Sequence, residues 1–189
     1  DLDRAAMRAA QSGFRRQGQA CTSTQRLFVE RSVLERFTGK FLAAVGALVV
    51  GDPRDPATDI CPMISEAEAV RAESWVREAV AAGATVLAGG TRDGAILRPT
   101  VLAGARADMR VLCAEIFAPV LSIIPFDDLD AAVDEVNATP FGLAAGVFTR
   151  DLSTAFRLAE RIRVGVVHLN DASSSRVDLM PFSGVKDSG

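Results

Sequence analysis

The sequence predicts an α/β domain with a mainly parallel sheet flanked by helices. Three observations lead there. Stretches with the i, i+3, i+4, i+7 spacing of a helix face alternate with short apolar runs of strand length. Those runs are rich in β-branched residues and several are bounded by glycine, which favours strands over buried helix turns. The chain has 189 residues, 49% of them hydrophobic, enough for one domain with a sizeable core.

The elements follow in order. Leu2, Ala5, Ala6 and Ala9 mark a first helix, with Asp1 and Asp3 at its start and Arg15 and Arg16 at its end, as the helix dipole favours. Leu27 to Val29 reads as a short buried strand, and Leu34, Phe37, Phe41, Val45 and Leu48 mark a second helix. Two prolines and a glycine in Gly51 to Pro56 make that stretch a loop. Ser65 with Glu68 forms a capping box that opens a third helix along Ala69, Ala72, Val76 and Ala79, and Gly83 ends it. Strands are expected at Thr85 to Leu87, Thr100 to Leu102 and Val120 to Ile124, the last apolar enough to be buried on both faces. Asp127 and Asp128 precede a helix through Val136, Asp151 caps another through Ile162, and strands cover Ala145 to Phe148 and Val164 to Leu169.

Composition excludes several classes. A net charge of -3 argues against a nucleic-acid partner, and no apolar run reaches membrane-spanning length. Cys21, Cys61 and Cys113 have neither disulfide-framework nor metal-ligand spacing, so no metal site is expected and a reducing cytoplasm is the natural compartment. Glycines at 89, 90 and 94 do not match a dinucleotide or phosphate-loop fingerprint. The only histidine, His168, lies in an expected strand without a carboxylate or cysteine at ligand spacing, and reads as structural.

The informative segment is Arg16-Gln17-Gly18-Gln19-Ala20-Cys21-Thr22. It places a thiol on a glycine-containing turn between helix and strand, with little steric cover and backbone N–H donors nearby. Further landmarks are Gly51-Asp52-Pro53, Arg98-Pro99-Thr100, Glu115-Ile116-Phe117-Ala118-Pro119-Val120, Phe141-Gly142-Leu143 and Met180-Pro181-Phe182-Ser183-Gly184-Val185-Lys186. In this order, over nearly the whole chain, they resemble the catalytic, cysteine-bearing region of aldehyde dehydrogenases.

The resemblance implies a single catalytic domain over residues 1–189, with Cys21 as the nucleophile that forms a thiohemiacetal and then a thioester. It implies NAD or NADP as cofactor, met by Glu115 at the nicotinamide ribose and by Phe117 beside the nicotinamide. Asn170, Arg176 and Phe182 match positions lining the substrate tunnel, and the loop from Asp171 to Arg176 lies where related enzymes select substrate. Its hydroxyls and guanidinium suit a small polar or anionic aldehyde or semialdehyde. Arg15 and Arg16 are further candidates for favouring the thiolate. Two alternatives remain: a CoA-acylating semialdehyde dehydrogenase, and a catalytically silent domain of the same fold.

The family's nucleotide-binding domain, general-base glutamate and oligomerisation strand are expected outside this stretch, whose two ends look cut. The parent enzyme would be a homo-oligomer, and the isolated 189 residues are expected to be inactive. Ala118 and Ser183 stand where the family usually has glycine, so a Cβ is expected to strain any left-handed backbone there. Cys61 likewise replaces a common glycine.

Overall fold

A computed structural model describes residues 1–176 and 178–189. Helix α1 (Leu2–Phe14) starts at Asp1, whose carboxylate accepts from the Arg4 N–H at 3.1 Å. It buries Ala5, Ala6, Ala9, Ala10 and Phe14. The small alanines let α2 (Leu34–Gly46) approach closely, and Phe14, Phe37 and Phe41 stack between the two helices at 5.9 and 6.3 Å. Strand β1 (Arg26–Glu30) joins these helices.

Helix α3 (Glu66–Ala81) begins as expected, with Ser65 Oγ accepting from the Glu68 N–H. Gly83, at φ +105°, turns the chain away after it. Strand β2 (Thr85–Ala88), a two-residue hairpin of β3 (Arg92–Asp93) and β4 (Ile96–Leu97), and β5 (Thr100–Ala103) follow. The single turn α4 (Arg110–Cys113) leads to β6 (Val120–Phe126), whose first five residues are all buried. Helix α5 (Leu129–Asn137) is capped by Asp128 and α6 (Leu152–Arg161) by Asp151, on either side of β7 (Ala144–Val147). Strand β8 (Val166–Leu169) precedes the terminal loops.

The main sheet runs β1-β6-β5-β2. β1 and β5 pair with β6 in parallel, whereas β2 joins β5 antiparallel through a bulge. β7 and β8 form a separate parallel pair. The sheet is thus mixed, mainly parallel and flanked by helices, in agreement with the sequence reading. One apolar cluster packs α1 and α2 against β1 and β6, a second packs α3 against β5 and β6, and a third holds β7 to α5 and α6.

Two expectations need correction. Helix α1 ends at Phe14, so Arg15 and Arg16 do not occupy its last turn. The chain instead turns left-handed through Arg16, Gln17 and Gly18, at φ 54°, 59° and 66°. Neither Ala118 nor Ser183 has a positive φ; the left-handed residue of that neighbourhood is Phe117, at φ 48°. The extra Cβ atoms therefore sit on ordinary backbone, and the strain falls one residue earlier.

Candidate active site

The left-handed run after α1 brings Cys21 to the surface. Each non-glycine residue in that conformation costs about 1–2 kcal/mol, so surrounding contacts must hold the turn. Gly18 is buried against the Ala118 carbonyl so closely that a Cβ would overlap it and lie 2.9 Å from Pro119 N. Gln19 Oε1 accepts from the Ile64 N–H at 2.9 Å. With its amide oxygen turned to Cys61, Gln17 accepts from that residue's N–H at 3.1 Å. The turn is wedged between the 61–64 loop and the segment leading into β6.

On the far side of Cys21 a hydroxyl cluster does the holding. Ser173 donates to the Thr22 carbonyl at 2.8 Å and lies 2.8 Å from Thr24 Oγ1. Thr24 donates to the buried Ser12 Oγ at 2.7 Å, and Ser23 donates to the Ser12 and Gly13 carbonyls. The sulfur-bearing turn, α1 and the 171–176 loop are thereby one polar unit. Cys21 is exposed, and its backbone N–H makes no hydrogen bond among the described residues.

Asp171 anchors the loop. It pairs with Arg8 at 2.6 Å and accepts from Ser175 at 2.9 Å and from the Ala172 N–H at 2.8 Å. Burial works to raise its pKa, but these hydrogen bonds and the Arg8 charge together hold it below the ordinary carboxylate value. His168 on β8 moves the other way: burial lowers its pKa, and the Asp171 charge offsets part of that. Among the described residues no cluster of acidic, histidine or cysteine side chains suits a metal ion.

A cleft of about 520 Å³ opens beside this unit, lined by Gln11, Ser12 and Arg15 of α1 and its end, by Ser174, Ser175 and Arg176, and by Leu48, Ile60 and Asp59, whose carboxylate accepts from the Val49 N–H at 2.9 Å. Arg15 and Arg176 have no carboxylate partner among the described residues. Arg176 lies over the exposed Phe182 ring, 4.9 Å from its centre, which joins two of the expected pocket residues. Asn170, just after β8, accepts with its side-chain oxygen from the Thr149 N–H at 3.1 Å, and its backbone is left-handed at φ 55°.

Glu115 is exposed and has no hydrogen-bond or ion-pair partner among the described residues. Ile116 is fully buried and Phe117 is half-buried. The Gly18–Ala118 contact brings this turn against the cysteine turn. The hydroxyl cluster and that contact were not foreseen from sequence, because each joins residues about a hundred or more positions apart and neither has a local pattern.

The aldehyde dehydrogenase family model matches residues 1–189, the whole chain. The chain belongs to the aldehyde dehydrogenase family. It is 45% identical, over all 189 residues, to a 3-sulfolactaldehyde dehydrogenase of Priestia aryabhattai, and spans 40% of that relative's length. Aldehyde dehydrogenase 21 of Physcomitrella patens, solved with its reaction product succinate, superimposes with a TM-score of 0.97 at 42% identity. That match covers 99% of this chain and 39% of the moss enzyme. A glyceraldehyde-3-phosphate dehydrogenase of Methanocaldococcus jannaschii complexed with NADP gives 0.96 at 36%, covering 100% and 41%. In this aldehyde dehydrogenase chain no described helix is long and apolar enough to cross a membrane.

Proposed function

We propose that this chain is the cysteine-bearing catalytic domain of an NAD(P)-dependent aldehyde dehydrogenase acting on a small aldehyde with an anionic or polar tail. The observation that carries the reading is the exposed Cys21 on a braced turn just after the left-handed run, tied through the Ser12–Thr24–Ser173 hydroxyls to α1 and the 171–176 loop, which line a cleft with two guanidinium groups that have no carboxylate partner among the described residues. The chain spans 40% of its relatives' length, so the remainder of the catalytic apparatus is expected in the rest of the protein.

Cys21 thiolate attacks the aldehyde carbonyl and gives a thiohemiacetal. The Cys21 N–H, which has no partner among the described residues, donates to the developing oxyanion, a contribution of about 3 kcal/mol where such a donor is preorganised. Glu115 and Phe117 fit a nicotinamide cofactor: an unpaired exposed carboxylate suits the ribose hydroxyls, and an aromatic edge suits the ring. The bound cofactor supplies the hydride acceptor. Hydride loss leaves a thioester on the Cys21 sulfur, which water opens to the acid. Arg15 and Arg176, with the Ser174 hydroxyl, hold the anionic tail, while the Ser175 hydroxyl is engaged by Asp171.

The test compares aldehydes of equal length, one ending in a carboxylate or sulfonate and one in a methyl group, on the full-length protein. Cys21→Ala should abolish acid formation from both. Arg176→Ala should raise KM for the anionic aldehyde about tenfold or more and leave the neutral one unchanged, as loss of a charged hydrogen bond predicts. Equal KM changes for the two would remove the anionic-tail assignment. Acyl-CoA in place of free acid when CoA is supplied would move the enzyme to the acylating class.

A further inference from the structure

The most built side-chain cluster outside the cleft lies on α3, behind the Glu115–Phe117 turn. Arg71 donates from Nη2 to the Ile116 carbonyl at 2.7 Å and from Nε to Glu68 at 2.8 Å. Its guanidinium lies 4.9 Å from the centre of the Trp75 ring. Arg110, at the start of α4, lies over the same ring at 4.9 Å and is held by Glu78. The cluster thus fixes α3 and α4 together and delivers one fixed donor to a loop carbonyl 45 residues away in sequence.

That carbonyl matters because of its neighbours. Ile116 is fully buried, so its oxygen needs a partner, and the only one among the described residues is Arg71. The next two held carbonyls, Ala118 and Pro119, are satisfied by backbone N–H groups of Val120 and Thr100. Of these three carbonyls, that of Ile116 alone depends on a side chain. It separates the exposed Glu115 from Phe117, whose φ of 48° is unfavourable unless its surroundings impose it.

We propose that Arg71 is a positioning residue for the nicotinamide cofactor: by anchoring the Ile116 carbonyl it sets the spacing between the Glu115 carboxylate and the Phe117 ring. The inference rests on the assignment of those two residues as cofactor contacts. Arg71 touches neither the cofactor nor the aldehyde; it acts through the backbone of the turn, as supporting groups behind a binding constellation do.

The experiment is an equilibrium titration of the full-length protein with NADH and NADPH, read by nicotinamide fluorescence. Thermal unfolding and the rate of Cys21 alkylation by iodoacetamide without cofactor are measured alongside. Arg71→Met should raise the cofactor Kd about tenfold, the loss expected for one charged hydrogen bond, with Cys21 alkylation unchanged. Arg110→Met breaks the Glu78 pair and one ring contact without touching Ile116, and should lower thermal stability with Kd unchanged. Should Arg71→Met not fold, Arg71→Gln, too short to reach Ile116, takes its place in the same titration.

Equal weakening by the Arg71 and Arg110 variants would reduce Arg71 to a structural residue and overturn the proposal. Glu115→Ala separates the two layers of the argument. If it weakens cofactor binding while the Arg71 variant binds like wild type, the positioning role falls and the cofactor assignment stands. If neither variant changes Kd, both fall.

Discussion

Replacing Gly18 by alanine tests whether the contact between the cysteine turn and the Glu115–Phe117 turn sets the reacting geometry. At φ 66°, alanine costs about 1–2 kcal/mol in backbone strain alone. Its Cβ would also overlap the Ala118 carbonyl and lie 2.9 Å from Pro119 N, where ordinary contact begins near 3.4 Å. The obstacle is backbone and cannot rotate away, so the two turns must part by about 1 Å, a displacement that costs reactions between positioned groups on the order of a hundredfold. In the full-length protein at saturating aldehyde and cofactor, Gly18→Ala should therefore lower kcat about a hundredfold, in a variant destabilised by at least the 1–2 kcal/mol of backbone strain. Cys21 alkylation without cofactor should stay within a few-fold of wild type, because the sulfur remains exposed. Wild-type kcat in a folded Gly18→Ala variant would show that the contact does not set the distance, and the argument for two abutting turns would fail.

Other perturbations have equally definite outcomes. The Ser122 hydroxyl, in the centre of β6, is buried without a partner among the described residues, so Ser122→Ala should leave the unfolding temperature equal or higher; a loss of more than about 1 kcal/mol would reveal a partner. Phe14→Ala removes a fully buried ring from the α1–α2 stack and should cost about 3–5 kcal/mol in denaturant unfolding. Asp171 has a folded-state pKa below its ordinary value of 3.8, so its contribution is complete above that pH and is lost as pH falls through the folded value. The stability difference between wild type and Asp171→Asn should accordingly be constant near neutrality and shrink below about pH 4; a constant difference down to pH 2 contradicts the ion-pair account. Ser173→Ala should speed amide exchange across residues 21–24, at a cost of about 1 kcal/mol, and unchanged exchange there would mean the Thr22 carbonyl is held by something else.

The helices were legible because their signals are local. Asp1, Ser65, Asp128 and Asp151 each cap the helix they precede, and the alanine face of α1 is the buried one. The apolar run from Val120 reads as a doubly buried strand for the same reason. What escaped is non-local or very short. The antiparallel partner of β5 is chosen by packing, the β3–β4 hairpin has two residues per strand, and α4 is one turn long. Cys21, Glu115 and Phe117 stood out by resemblance, and the structure brings their two turns into contact through Gly18 and Ala118. The strain expected at Ala118 sits at Phe117 instead, because which residue of a turn goes left-handed depends on the contacts around it. The hydrogen bond from the Thr149 N–H to the Asn170 side-chain oxygen likewise has no local signal in the sequence. Nothing in the local pattern marks Ser12, Thr24 and Ser173 as a cluster.

That cluster has a consequence for biosynthesis. Ser173 reaches back 149 residues to Thr24 and 151 to Thr22, so the brace on the Cys21 turn closes only after about 150 further residues have been made. Contacts of such separation form late, after the nearer pairings of α1 with α2 have shortened the loop to be closed. A ribosome adding about 5–20 residues per second leaves the thiol without its brace for on the order of ten seconds. Oxidative or electrophilic damage to Cys21 in the nascent chain would then be fixed into a protein that folds normally with an altered residue 21.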